Sequence, residues 1–345
     1  FFSSRRRHTR LLTVTGVQTC ALPISVTGYV NNENSSVVTG APTISTAAIT
    51  SSNVGSYTIT SAANNLSATN YNFTYVNGLL TITKAPLTVT GVTTSVVYNS
   101  ATQTNNTAII TGNKGSDNFT VSGYGAGLNV GTYVDNLSVT SSAISNYNVS
   151  YINGSLTIIK APLTVTGATT PVTYNGLVQN NNTATISGNK GLDTFTVTGY
   201  ATGTNAGNYN DILSVTSSAL SNYNVTINNG SLTINPKALT IGITTVSNKV
   251  YDGGTNATIN TLGTLSGLVG NESVSVATST ASFSTKNAGT GLSVTVSYTL
   301  QDGNGAKGGF ASNYTLANTI TTANISPKAL TISGLIAIKI GRAHV

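Results

Sequence analysis

Residues 80–91 read LTITKAPLTVTG, and residues 156–167 read LTIIKAPLTVTG. Altered copies follow as LTINPKALTIG at 232–242 and ISPKALTISG at 325–334. Every copy closes one run in which apolar and hydroxyl residues alternate and opens another almost at once. Alternation with a period of two marks a strand with one face in a core and the other in water. Only a few residues stand between the two runs, among them Pro86, Pro162, Pro236 or Pro327, whose rings fix φ. The stretch therefore reads strand, stiff passage, strand. Its recurrence sets the domain plan: Leu87 to Leu163 and Leu163 to Leu239 are each 76 residues, and Leu239 to Leu330 is 91. A fixed period with one longer unit is the sign of tandem domains.

Residues 85–160 and 161–236 align without a gap. Gly131, Tyr133, Asn146, Tyr147, Asn153 and Gly154 return as Gly207, Tyr209, Asn222, Tyr223, Asn229 and Gly230. They are preceded at the same spacing by Gly55, Tyr57, Asn70, Tyr71, Asn77 and Gly78. Within 85–160 the alternating sets are Leu87 and Val89; Phe119 and Val121; Tyr147, Val149 and Tyr151; and Leu156 and Ile158. Asn153-Gly154 lies between the last two sets and predicts a two-residue hairpin, because Asn and Gly accept positive φ. The same turn is predicted at Asn77-Gly78 and Asn229-Gly230. GNKGS at 112–116 has room for one helical turn at most. The expected fold class is all-β: a tandem array of small antiparallel domains, sandwich-like or β-grasp-like, with little helix.

The two ends read differently. FFSSRRRHTR at 1–10 back-translates without a gap to TTT TTT TCA AGC AGA AGA CGG CAT ACG AGA, which resembles an attachment oligonucleotide of short-read sequencing. Leu11, Leu12 and Thr13 fit a sample index, and Val14 to Ile24 back-translates to a library primer. Ile340 to Val345 gives the reverse complement of part of that primer. Residues 1–25 and 340–345 are thus expected to be adapter-derived, and the natural product to be an internal fragment. A signal peptide is the weaker reading of 1–25, since Thr13, Thr15, Gly16 and Gln18 break its apolar run.

All five arginines, both histidines and the single cysteine, Cys20, lie in those ends. Setting the arginines aside lowers the formal charge from +7 to +2 (7 − 5). That removes the electrostatic case for nucleic acid or an anionic membrane as partner. Without His or Cys, the remainder lacks the usual general base, thiol nucleophile and zinc ligands. No enzyme, no cofactor and no catalytic or metal site is expected. No apolar run approaches the roughly 20 residues that cross a bilayer as a helix.

The tails GSY…NYNFTYVNGLLTITKAPLTVTG, GTY…NYNVSYINGSLTIIKAPLTVTG and GNY…NYNVTINNGSLTI resemble the MBG domain family. SNKVYDGGTNATI at 247–259, KNAG at 286–289 and SNYTLAN at 312–318 resemble the YDG domain family. The plan is then a truncated MBG-like repeat at 26–84, MBG-like repeats at 85–160 and 161–236, a YDG-like domain at 237–327 and the start of a further repeat at 328–339. Both families belong to large bacterial secreted and surface proteins, including filamentous-haemagglutinin-like adhesins. The resemblance implies an extracellular, cell-surface segment that is structural or adhesive, a stalk or spacer, and it transfers no catalytic or binding residue. Implied partners are neighbouring domains of the same chain and surface glycans or proteins of a host or the environment. A multivalent carbohydrate-binding array, or an accessory region of an extracellular enzyme, is the alternative.

Several residues invite sharper readings. Lys84, Lys160, Lys237 and Lys328 beside the passages suit a Lys–Asn crosslink, but solvated lysines that blunt strand edges are the commoner case. Tyr133, Tyr209, Tyr147 and Tyr223 suit a sugar-stacking platform, but their places on alternating strands favour the core. Asp117, Asp135, Asp193, Asp211 and Asp252 suit calcium, yet one or two acids per repeat fall short of the roughly six to eight oxygens a site needs, and turns are favoured. The sequon Asn65-Leu66-Ser67 follows from composition.

Overall fold

A computed structural model describes residues 25–304 and 308–334. The adapter-like ends, apart from Ser25, lie outside the described residues, as do residues 335–339 of the further repeat. Strands dominate, with short 3-10 turns at Ser35–Val37, Ile144–Asn146, Leu220–Asn222 and Ala311–Asn313 and no α-helix among the described residues. The all-β expectation holds, and the strands form several small sheets. The chain divides into two compact units. The first reaches Ala161 and takes in Lys190–Leu192 and Ser221–Tyr223; the second holds the other residues from Pro162 onward.

In the first unit, Thr43–Thr46, Gly55–Ala62 and Gly78–Ile82 form an antiparallel sheet. Thr83 and Lys84 alone then lead into Ala85–Gly91. The 85–160 repeat holds two three-stranded sheets and two strand pairs, and Val89 packs against Leu137 and Val139, from the side of the pair Thr120–Ser122 and Ser138–Thr140. Ala85–Gly91 lies between Ala108–Thr111 and Tyr147–Ile152, while Ser155–Ile159 lies between Thr93–Val97 and Gly131–Val134. The chain crosses between sheets at Val92, and again at Asn153-Gly154. Leu87 and Val89 are 0% exposed and Leu156 and Ile158 1%, so the apolar member of each alternating pair is in the core. Each such burial is worth about 1.5–3 kcal/mol, which fixes the register of strands whose other face is Thr and Ser.

Two pairings in this repeat are parallel. Ala85–Gly91 runs beside Tyr147–Ile152, and Thr93–Val97 beside Ser155–Ile159. The predicted Asn153-Gly154 hairpin is therefore wrong: the flanking strands pair with different partners in different sheets, and neither residue has positive φ. Glycine is needed there for close approach, since a Cβ on Gly154 would stand 2.5 Å from the Val92 carbonyl oxygen. Asn229-Gly230 is the same kind of crossing, and Asn77-Gly78 is no two-residue hairpin either, because the antiparallel partner of Gly78–Ile82 is Gly55–Ala62, which ends fifteen residues before Asn77.

The second unit repeats this plan and extends it. Thr169–Thr173 runs parallel to Ser231–Asn235, which is antiparallel to Gly207–Asn210. Pro171 is accommodated because its strand is at the sheet edge. Pro236 alone separates Ser231–Asn235 from Lys237–Ile241, which runs parallel to Tyr314–Leu316. The long strands Val274–Phe283, Gly289–Asp302 and Thr319–Ser326 build a five-stranded sheet over Phe283, Val294, Val296 and Ile325. A second cluster, Tyr174, Ala201, Leu232, Ile234, Leu239, Val274 and Tyr314, draws on both 161–236 and 237–327. The two repeats share this cluster, and Val165, Leu213 and Val215 form another within 161–236.

Candidate functional site

Three repeats, those that end at 84, 160 and 236, carry the sequence Asn-x-Gly-x-Tyr, at 53–57, 129–133 and 205–209. In all three the tyrosine hydroxyl donates to the carbonyl of the asparagine four residues back, Tyr57 to Asn53 at 2.8 Å, Tyr133 to Asn129 and Tyr209 to Asn205 at 2.9 Å. The bond holds the asparagine side chain outward, where it meets a second asparagine that a 3-10 turn presents. Within the first unit Asn146 donates its Nδ2 to Asn53 Oδ1 at 2.8 Å and Asn222 to Asn129 at 3.0 Å; within the second, Asn313 donates to Asn205 at 3.0 Å. The backbone N–H groups of Val54, Val130 and Ala206 close the motif by donating to Oδ1 of Asn146, Asn222 and Asn313 at 2.9, 2.9 and 2.7 Å. A backbone N–H can only donate, so it fixes which end of each amide faces it. Asn222 and Asn313 are 4% and 0% exposed, and each of these bonds contributes about 1 kcal/mol while leaving one unmade in a buried site costs more.

The tyrosine next to the second asparagine is held as well. Tyr147 OH accepts the Lys114 N–H at 2.8 Å and donates to Asp117 Oδ2 at 2.6 Å. Tyr71 does the same with Val30 and Glu33, and Tyr223 accepts from Lys190 at 2.9 Å. In the second unit Tyr314 accepts from Val269 at 2.9 Å, and Glu272 receives two hydroxyls, Tyr174 at 2.5 Å and Tyr314 at 2.6 Å. The two rings meet edge to face at 5.4 Å. Burial first, and then the hydrogen bond to Glu272, push both hydroxyls up from 10 to about 12. The neutral phenols are thus favoured by folding: their contribution is whole below about pH 10 and is lost as pH rises toward 12. Thermal unfolding followed by circular dichroism should accordingly show a midpoint that falls between pH 10 and 12, with a flatter decline in the Tyr174→Phe, Tyr314→Phe double variant.

A third polar element was read from sequence as ordinary turn acids. Asp135 is 2% exposed and Asp211 1%. Asn105 Nδ2 donates to both oxygens of Asp135 at 3.1 Å, Gly125 N–H to Oδ1 at 2.8 Å and Gly154 N–H to Oδ2 at 3.1 Å. The same Nδ2 reaches the Val92 carbonyl at 2.6 Å. Asn181, Ala201, Gly230 and Ala168 repeat this set around Asp211. The pair ties together the two points where the chain changes sheets, Val92 with Gly154 and Ala168 with Gly230. All of these donors to the two carboxylates are N–H groups, an arrangement that suits an anion held by protein and opposes a cation.

The remaining candidates are placed as follows. Tyr147 and Tyr223 are buried in the core, and Tyr133 and Tyr209 are half-buried. Lys84, Lys160 and Lys328 are exposed and Lys237 half-buried, so three of the four lack the enclosed setting a Lys–Asn crosslink requires. Asp117 serves Tyr147; Asp193 lies in the matching loop of the next repeat. Asp252 accepts from Lys249 at 2.8 Å and from the Gly254 N–H at 2.9 Å, which closes the Tyr251-Asp252-Gly253 turn that glycine permits at φ +82. That hydrogen bond from Lys249 chiefly holds the Asp252 carboxyl below its usual value. Asn65 uses its side-chain oxygen on the Ala41 N–H. Among the described residues no three of His, Cys, Asp and Glu gather as a metal would need, and no helix is long and apolar enough to cross a membrane. The depression between 206–208 and 233–236, bordered by Ser312, is shallow and open.

Sequence reasoning counted Asn146 and Asn222 as markers of the period but gave them no task, and it missed Asn53, Asn129, Asn205 and Asn105. The signal was present in the period: Asn53, Asn129 and Asn205 recur at 76-residue spacing, each two residues before the glycine of Gly-x-Tyr.

Residues 12–81 match the family model of the MBG domain (YGX type), and residues 235–323 that of the YDG domain. Both are non-catalytic repeat or binding domains typical of extracellular surface proteins. The first match begins inside the stretch with oligonucleotide-like codons; Leu12 to Gly16 there read LTVTG, as Leu87 to Gly91 do. No curated protein matches the chain in sequence. Among solved structures it is similar to Drosophila N-cadherin EC1-4, with a TM-score of 0.22 and 9% identity over 79% of this chain and 83% of that one. It is also similar to a SusE-like surface-located polysaccharide-binding protein of Bacteroides thetaiotaomicron, with a TM-score of 0.15 and 11% identity over 85% of this chain and 55% of that one.

Proposed function

We propose that this chain, with its MBG and YDG domains, is a non-catalytic spacer segment of a large bacterial secreted or cell-surface adhesin. The observation that carries the reading is where the polar side chains are spent. Asn53 with Asn146, Asn205 with Asn313, and Tyr174 with Glu272 and Tyr314 join one repeat to the next, and Leu232 and Leu239 belong to one shared core. A chain whose specific bonds hold its own domains in place acts as a support. The carbohydrate-binding alternative keeps only the half-buried Tyr133 and Tyr209 of its platform, because Tyr147 and Tyr223 are 3% and 2% exposed.

A glycan array probed with the whole chain tests this reading. The expected result is no saturable binding. A sugar bound specifically, and lost on replacing an exposed aromatic such as Tyr151 or Tyr251 with alanine, would replace the spacer by a binding array.

A further inference from the structure

We infer that each full repeat is a shear clamp, built to resist tension applied along the chain. The inference rests on the spacer reading and goes beyond it, since a spacer need only separate two objects. Its basis is the direction of the pairings between the first and last strands of a repeat.

In 85–160 the first strand, Ala85–Gly91, is parallel to Tyr147–Ile152 over six rungs, and the second, Thr93–Val97, is parallel to the last strand, Ser155–Ile159, over five. In 161–236, Thr169–Thr173 is parallel to Ser231–Asn235. In 237–327, Lys237 to Leu239 is parallel to Tyr314 to Leu316, and Lys249–Val250 to Ile325 and Ser326. Each of these repeats therefore joins strands from its beginning to strands from its end, side by side and in the same direction.

That geometry decides how tension is met. Pulling on a chain drags an early strand toward its own N-terminal end and a late strand toward its own C-terminal end. For parallel neighbours these directions are opposite and lie along the ladder. All rungs are strained together, and none yields until the set slips. An antiparallel pair joined at one end would instead open one rung at a time. Tension also enters the clamp directly, because Thr83 and Lys84, or Pro236 alone, separate one repeat's last strand from the next repeat's first.

Three features protect the rungs. Leu87, Val89, Leu156 and Ile158 on the clamp strands are at most 1% exposed, so water does not readily replace a broken ladder bond. Thr88 and Ser150 bond across the first pair at 3.2 Å. Asn105 and Asp135 fasten Val92 to Gly154, the two sheet crossings that a slipping clamp must drag apart. Resistance to forced unfolding is a rate property, and it is set by what must break before the barrier is crossed.

Single-molecule force measurements on the full chain test the clamp, with Cys20 replaced by serine and paired cysteine handles introduced. Thr93→Cys with Ile159→Cys pulls the second clamp from opposite ends, in shear. Thr93→Cys with Ser155→Cys pulls at one rung, because these two residues are paired, and peels the same ladder. The two variants share one fold and nearly one equilibrium stability, which urea unfolding checks. The clamp predicts a severalfold higher rupture force for the first handle pair. Equal forces in the two directions overturn it and leave the spacer reading standing, whereas specific sugar binding on the array overturns the spacer reading whatever the forces are.

Discussion

Asp135→Ala is expected to lower the unfolding free energy of the 85–160 repeat by about 3–5 kcal/mol, the sum of several buried hydrogen-bond donors left unmade. The carboxylate is 2% exposed and gathers N–H groups from Asn105, Gly125 and Gly154. Truncation leaves three buried donors facing an empty space. Each costs about 1–3 kcal/mol unless water enters. Asp135→Asn should recover little, since its Nδ2 would oppose another N–H. A domain has roughly 5–15 kcal/mol in total, so the loss approaches the stability of the repeat. Urea denaturation measures it, with Asp211→Ala as an internal replicate in the next repeat. Asp117→Ala removes only the bond to Tyr147 and should cost about 1 kcal/mol. A loss at Asp135 no larger than that at Asp117 would show that the carboxylate does not hold the sheet crossings.

Leu232→Ala has the second largest expected effect, about 2–5 kcal/mol for a fully buried leucine. Leu232 is 0% exposed and packs in the cluster that includes Tyr174 and Ala201 from one repeat and Leu239, Val274 and Tyr314 from the next. The cavity should therefore weaken both. Hydrogen exchange followed by mass spectrometry is expected to show faster exchange in Ser231–Asn235 and also in Lys237–Ile241 and Tyr314–Leu316. Confinement of the change to 161–236 would mean that the shared cluster does not couple the repeats. Leu192→Ala is the control: this side chain is 95% exposed, and a surface change of this kind stays within about 0.5 kcal/mol.

The strands were legible because burial acts locally. Leu87 and Val89, or Leu156 and Ile158, announce themselves by alternation whatever they pair with. Pairing was not legible, because partner choice depends on residues far along the chain. Asn153-Gly154 shows the gap: the dipeptide fits a hairpin by local conformation, but the fold uses it where two backbones nearly touch, and closeness leaves no mark in a single sequence. Asp135 and Asn105 were hidden for a related reason. Each looks like a loop residue alone, and only the fold brings them together across 30 positions. Of the four tyrosines expected in the core, Tyr147 and Tyr223 are buried and Tyr133 and Tyr209 half-buried, while Asp117, the hydroxyl partner of Tyr147, appeared only with its loop in place.

The asparagine pairing has a consequence for how such a chain changes over generations. Every block from 53 to 222 that begins after one passage and ends at the next carries both halves of the motif, Asn146 facing back to Asn53 and Asn129 facing on to Asn222. Asn205 meets Asn313 in the same way although the next domain is of the other type. Unequal recombination that adds or deletes a whole 76-residue block then rejoins matching halves and leaves no buried amide without a mate. Copy number becomes a heritable length setting, adjustable in whole steps without selection having to rebuild an interface each time.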